Sequence, residues 1–324
     1  MTTLAWVIGG RGMLGRATTT RLHADHRWIM IDVAPLPWSD DEALAAAAEN
    51  AAAGLIRSAE DQGASWAIFW TAGTVVTSSP PEAMNAELAQ FDLVLDSIAH
   101  AVAASGRLST GCLFFASSAG GVYGGSSNPP FSELTAPVPI SAYGRFKLEA
   151  EDRLTAFTAR SGVSTAIGRI SNLYGPGQSL EKMQGLISHL ARAQYSTTPA
   201  SLYVPLDTLR DYIYVDDCAA MIGDFALRAL EEHDRSGPIN VVKNLISGQA
   251  VSISGLLGYF RTLAKGHPHV RLASSTAAAL QAIDLRVESR QWPELDAREL
   301  TPLPAGIHAT MADILSGVQR GYVR

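Results

Sequence analysis

The chain has 324 residues, 47% of them hydrophobic and 17% charged, with a net charge of −6 and a pI of about 5.7. This is enough chain for one large domain or two coupled ones around a substantial core. The acidic balance and the lack of any Lys/Arg-rich run count against nucleic acid as a partner, because phosphate-backbone binding needs a basic footprint.

The opening stretch MTTLAWVIGG has no basic segment, and its apolar run is too short for a signal peptide. No apolar run reaches the roughly 18 residues of a membrane span, so none is expected. Cys112 and Cys218 sit in apolar surroundings without metal-ligand spacing. They read as buried thiols, which fits a reduced cytoplasm, and no metal site is expected.

Short apolar runs at 4–8, 28–33, 66–73, 112–118 and 163–170 are β-branched or aromatic, and most are bounded by Gly, Ser or Asp. Helical patterns at 14–24, 44–62, 87–104 and 142–159 separate them. Buried strands alternating with helices predict βαβ units and a Rossmann-type, doubly wound parallel sheet. After Asn172 the elements shorten and Pro, Gly, Ser and Thr become denser. The expected division is a dinucleotide-binding body over 1–171, to which 211–242 returns. A smaller substrate-binding lobe then takes 172–210 and 243–324.

Between the first strand and the first helix, Gly10, Gly12 and Gly15 satisfy G-x-G-x-x-G, and Gly9, Gly12 and Gly15 satisfy G-x-x-G-x-x-G. Such glycines allow a tight turn and close backbone approach to a pyrophosphate, while the helix N-terminus offers free N–H groups. Asp32, at the end of the second strand, completes the fingerprint. A carboxylate there accepts the adenine-ribose hydroxyls and repels a 2′-phosphate, which favours NAD over NADP. Arg11 pulls the other way, but no basic residue follows Asp32.

Only four lysines occur in the chain, and Lys147 stands four residues after Tyr143. On a helix this spacing puts both on one face. With nine tyrosines, roughly 0.1 such pairs arise by chance, so the spacing alone is only suggestive. The chemistry supplies a reason for it. A phenol is a poor base at neutral pH, and a nearby ammonium favours its phenolate. A tyrosine so tuned takes a proton from a sugar hydroxyl as hydride leaves the same carbon. Ser117 and Ser118 end the fourth strand, where a hydroxyl can meet the reacting oxygen.

Five blocks in order, GGRGMLG, TAG, FASSAGGVYG, YGRFK and GRISNLYGPGQ followed by RDYIYVDD, span Gly9 to Asp217. Through them the chain resembles the extended short-chain dehydrogenase/reductases, in the NAD-dependent epimerase/dehydratase family. The resemblance implies Ser118, Tyr143 and Lys147 as the catalytic residues. It implies cofactor contacts from Gly9, Gly12, Met13, Leu14, Gly15, Asp32, Thr71, Ala72, Gly73 and Ile170, as well as Tyr143 and Lys147. On the substrate side it implies Ser118, Tyr143, Asn172 against phosphates, and Arg210 as a diphosphate clamp. It further implies a homodimer, with 87–104 and 142–159 forming a four-helix contact whose exposed faces carry Leu, Phe and Val.

Two departures narrow the chemistry. Gly120 and Gly121 stand where dehydratases of this family carry an Asp-Glu pair. Ala119 and Gly177 replace the Cys and His of the epimerase-reductases. The acidic adenine-side motif is also absent, its place taken by the Ala-rich stretch 41–62. The leading expectation is an NAD-dependent epimerase of a nucleotide-diphosphate sugar, working by transient C4 oxidation. A net reductase or dehydrogenase on the same triad is the alternative. A non-catalytic nucleotide sensor is a third reading, against which the retained Ser118, Tyr143 and Lys147 count. Arg271, Arg286 and Arg290 are further candidates for sugar or nucleotide contacts.

Overall fold

All five expected strands form, and a sixth joins them. In the computed structural model, which describes residues 2–106, 109–180, 185–264, 269–273 and 282–320, the body contains β1 (Thr3–Ile8), α1 (Met13–His23), β2 (Trp28–Met30), α2 (Asp41–Gln62), β3 (Ser65–Trp70), α3 (Pro81–Ala104), β4 (Gly111–Ser118), the short α4 (Ala119–Val122), α5 (Ala142–Ser161) and β5 (Ser164–Ile170). Next come β6 (Asn172–Tyr174), α6 (Leu186–Ala193), β7 (Ala200–Leu202), β8 (Leu209–Tyr214), α7 (Val215–Ser236), β9 (Asn240–Leu245), β10 (Ala250–Ser252), α8 (Ile253–Ala264), β11 (Val270–Leu272), β12 (Asp284–Leu285) and α9 (Leu303–Gln319).

The main sheet is parallel throughout, in the order β2-β1-β3-β4-β5-β9. α2, α3 and α5 bury their apolar stripes against one face, and α1 and α7 cover the other. Helices on both faces explain why strands such as Trp66–Trp70 are apolar without alternation.

α2 occupies the place where the resemblance leads one to expect an acidic adenine-side motif, and β2 is left at the sheet edge. Asp40 caps α2 by accepting from Ala43 N at 3.0 Å, and Gly63, in the left-handed region, ends it. The alanine bias has a packing cause. Ala48, Ala52 and Ala59 are fully buried in the core shared with α3, and Ser97 Oγ donates to Ala45 O.

The outward positions of α3 and α5 differ from expectation. They carry Asn85, Ala86, Ala89, Asp96 and His100, and Arg145, Glu149, Asp152, Ala156 and Arg160. Leu88, Phe91, Val94 and Ile98 of α3, with Leu154 and Phe157 of α5, turn inward instead, because the sheet beneath needs that apolar cover.

The segment 211–242 divides between two sheets. α7 and β9 join the body, but β8 lies in a separate sheet with β10 and β12, and β6 pairs alongside it. α6, α8 and α9 enclose a further core with Tyr174, Leu202 and Tyr212. β7 and β11 form a parallel pair.

Candidate active site

The glycine loop is shaped by close approach. At Gly9 (φ +89) a Cβ would lie 2.4 Å from Ala72 N, and at Gly15 a Cβ would lie 2.1 Å from Gly9 O. The β1–α1 turn is therefore pressed against the turn after β3, with only backbone at the contact. Gly12 differs, since a Cβ there would meet nothing nearer than Gly9 O at 3.5 Å. The chain's own packing does not demand glycine at that position, and close approach of a ligand would. α1 starts with no side-chain cap, so its first-turn N–H groups, those of Met13, Leu14 and Gly15, are available to an anion. The side chains of Met13 and Leu14 pack into the core, leaving the backbone as their polar surface here.

Thr71 ties this turn down by donating from both N and Oγ1 to Ile8 O, each at 2.9 Å. Asp32 lies two residues beyond β2, exposed, on a groove it shares with Val33, Pro35, Asn50 and Ser58. The fit to a dinucleotide is good at the pyrophosphate end. On the adenine side α2 supplies the wall.

The two serines ending β4 point to different work. Ser117 Oγ donates to Glu151 Oε1 at 2.5 Å in a fully buried network. Ser118 accepts from Gly121 N at 3.2 Å, and its hydroxyl works against the upward shift of the Tyr143 phenol. Strand alternation separates the pair. Ile170 lies beside Ser118 in register on β5.

Tyr143 and Lys147 lie in the first turns of α5, which Ser141 caps by accepting from Gly144 N. A Cβ on Gly144 would lie 2.1 Å from Gly121 O. The bare glycine thus lets α5 approach α4 closely enough for Tyr143 to meet Ser118. Lys147 Nζ donates to Ala116 O at 2.9 Å and lies 5.8 Å from the centroid of the Tyr143 ring.

Burial dominates both groups. It pushes the Tyr143 phenol up to about 12, against the hydrogen bond from Ser118, with Glu87 adding to the rise. It pulls Lys147 down to about 8, against the pull of Glu87 and Glu151. The tyrosine is therefore shifted opposite to the tuning that a nearby ammonium alone would give, because desolvation disfavours the phenolate.

Arg210 lies within β8, not before it, and is only 7% exposed. Nη1 donates to Leu209 O at 2.8 Å and to Ile283 O at 3.4 Å. Among the described residues Nε and Nη2 have no acceptor, and no carboxylate lies within ion-pair distance. A surface Arg210–Asp211 pair is ruled out. Asp211 is 1% exposed and accepts from Ser171, Ser247 and Gln249. Asn172, on the neighbouring β6, donates to Asp211 O at 2.8 Å and is exposed. Arg271, Arg286 and Arg290 are exposed, on Ser201, Asp284 and Glu288 respectively.

Two features escaped the sequence. Glu151 continues the Tyr143–Lys147 spacing by another four residues and forms a buried pair with Arg169 at 2.6 Å. The repeated interval is a signal that could have found it. Glu87 joins the site from α3, and nothing in its sequence surroundings marks it. Cys112 and Cys218 are buried as expected, with both thiols pushed up by burial.

Known proteins bear on this geometry. A dTDP-4-dehydro-6-deoxyglucose reductase from Escherichia coli is 37% identical over 109 residues, 33% of this chain and 34% of that one. A dTDP-L-rhamnose 4-epimerase from Burkholderia thailandensis is 33% identical over 126 residues, 39% of this chain and 33% of that one. The chain thus aligns with about a third of the length of these relatives. MoeE5 in complex with UDP-glucose and NAD superposes with a TM-score of 0.75 at 23% identity, over 98% of this chain and all of that one. RMD from Pseudomonas aeruginosa complexed with NADPH gives 0.73 at 21%, over 98% and 99%. At those identities the likeness establishes the fold. The family model described as NAD dependent epimerase/dehydratase matches residues 5–242, which takes in the glycine loop, the Ser118–Tyr143–Lys147 cluster and Arg210, and the chain belongs to that family.

Proposed function

We propose that the protein is an NAD-dependent epimerase of a nucleotide-diphosphate sugar. The observation that carries the substrate class is Arg210. A buried guanidinium with free donors and no ion-paired carboxylate, favoured by Asp284 only through space, is costly unless an anion arrives, and its planar fork suits a diphosphate. Asn172, one strand away and exposed, is proposed as a second contact to the same group.

NAD, when bound, supplies the hydride acceptor and a positive ring. The glycine loop and the start of α1 would hold its pyrophosphate, with Asp32 on the adenine ribose. Ser118 and Tyr143 orient the sugar's C4 hydroxyl between them. Tyr143 takes the hydroxyl proton, and the bound positive charge offsets the burial that holds its phenol up. Lys147 donates to the nicotinamide ribose and keeps a positive charge beside the ring. After the keto-sugar turns, Tyr143 returns the proton; the hydride taken up by the cofactor would return to the opposite face of the same carbon, so no net oxidation would occur. Gly120 and Gly121 bring no acid or base for dehydration.

A net reductase on the same residues is the second reading, favoured by the 37% identity of one segment to a reductase. The division of labour proposed is a nucleotide body over 1–171 with α7 and β9, and a substrate lobe from the rest. A cytoplasmic homodimer through α3 and α5 is also proposed. Its contact would rest on small and charged residues, and light scattering at micromolar concentration would exclude it by a monomeric mass.

Native mass spectrometry of the purified protein tests the main reading. Co-purified NAD with a sugar nucleotide is expected. A protein carrying NADP(H), or binding it as tightly as NAD(H) by calorimetry, would overturn the cofactor assignment.

A further inference from the structure

Glu87 stands half-buried on α3, among groups that the proposed mechanism does not use. Its Oε2 accepts from Thr74 N at 2.8 Å, Thr74 Oγ1 at 3.0 Å and Val75 N at 3.1 Å. One carboxylate oxygen therefore fixes the chain just past the Thr71–Gly73 turn. The other lies so close to Gly73 that a Cβ there would be 3.1 Å away, and among the described residues it accepts no hydrogen bond. Glu87 and Lys147 line one small cavity, with Trp70, Ala72, Phe91 and Phe115 as apolar walls. In such walls a charge interaction is screened little.

The charged and titratable groups around Lys147 are few. From its own helix come Tyr143 and Glu151, from α3 Glu87, and from β5 Arg169, which acts through Glu151. Glu151 is already taken up by Arg169, with three hydrogen bonds of 2.6–3.2 Å, and by Ser117. β3 and β4 present only Trp70 and Phe115 to the cavity. Glu87 is left as the carboxylate whose charge is not already matched.

We propose that Glu87 is a positioning residue. It anchors the 74–75 backbone as a rim of the cofactor site and holds Lys147 in its charged, ribose-binding form. This rests on the reading that a dinucleotide binds along the Gly9–Gly15 loop. The direction of its electrostatic effect agrees, since Glu87 raises the affinity of both Lys147 and Tyr143 for protons. Its charge thus opposes the desolvation of the ammonium.

The test is calorimetric titration with NAD+ across pH, which needs no sugar substrate. In the wild type, affinity should fall as pH rises through about 8, where Lys147 loses its proton. Glu87→Gln keeps an acceptor for Thr74 and Val75 but not the charge. It should move the midpoint of that fall to lower pH by about half a unit or more, with affinity at pH 6 within about threefold of wild type. Glu87→Ala should also weaken binding at every pH. In a Lys147→Ala background the effect of Glu87→Gln on pH dependence should vanish. An unchanged midpoint in Glu87→Gln would reduce Glu87 to a loop anchor and overturn the proposal. So would a shift that persists without Lys147. Failure of the wild type to bind NAD+ at any pH would instead overturn the cofactor reading, and the role of Glu87 with it.

Discussion

Lys147 Nζ lies over the ring of Tyr143, 5.8 Å from its centroid, while its hydrogen bond goes to Ala116 O. The ammonium is thereby held at the end of β4, beside the place proposed for the nicotinamide ribose. In the proposed reading it serves the cofactor directly and the tyrosine through space. Tyr143→Phe should then remove turnover by ~10²–10⁴ while leaving NAD affinity within a few-fold. Lys147→Ala should lower both. Steady-state rates with NAD titration separate the two, and a Tyr143→Phe enzyme keeping more than about a tenth of its rate would remove Tyr143 from the chemistry.

Arg210 gives a prediction in which stability and binding part company. Arg210→Ala should raise KM for a nucleotide-diphosphate sugar at least tenfold, about 1.4 kcal/mol, with NAD affinity little changed. Arg210→Met keeps the packing and removes a buried cation that no carboxylate pairs with directly, Asp284 acting on it only through space. Its Tm without ligand should equal or exceed that of the wild type. Scanning calorimetry with substrate kinetics reads both. A lower Tm together with an unchanged KM would make Arg210 structural.

The Glu151–Arg169 pair should behave oppositely. Both side chains are buried, at 5% and 6% exposure, and Ser117 and Tyr123 complete their hydrogen bonds. Glu151→Ala leaves Arg169 uncompensated and should cost about 3–5 kcal/mol in urea unfolding. A loss under about 1 kcal/mol would mean that water or a rearranged partner replaces the carboxylate.

Lys147 also imposes a pH signature on the protein without cofactor. Burial lowers its folded pKa to about 8 from 10.5. Between those values the unfolded chain holds a proton that the folded one has released. Unfolding takes up that proton, so this lysine makes stability rise with pH across the window, and below about pH 8 its burial cost is fully present. Urea unfolding from about pH 8 to 9.5 also titrates the thiols of Cys112 and Cys218 in the unfolded chain, which burial holds protonated in the fold and which therefore oppose the rise. Lys147→Met, which leaves both thiols in place, should make the slope of stability against pH less positive, or more negative, than in the wild type. An identical slope in the variant would show that the folded lysine keeps its proton throughout the window, as a solvated ammonium does.

The main sheet was readable in the sequence because each of its first five strands is a short apolar run closed by Gly, Ser or Asp, and burial on both faces writes itself into composition. The glycine turn and the one-turn spacing of Tyr143 and Lys147 were readable because local geometry fixes them, whereas Asn172 and Arg210 became candidates only through the family resemblance. A tight turn needs glycine, and four residues make one helical turn. The faces of α3 and α5 were not, since an apolar residue on a helix does not say whether it meets the sheet or a second chain. The residues alone did not choose between Ser117 and Ser118; the resemblance named Ser118, and the fold adds that Ser117 is taken up by the buried Glu151. Glu87 lay beyond reach. It is 60 positions from Lys147 in the chain, and only the packing of α3 and α5 over β3 and β4 brings the carboxylate and the ammonium to one cavity, where low dielectric makes each decisive for the other.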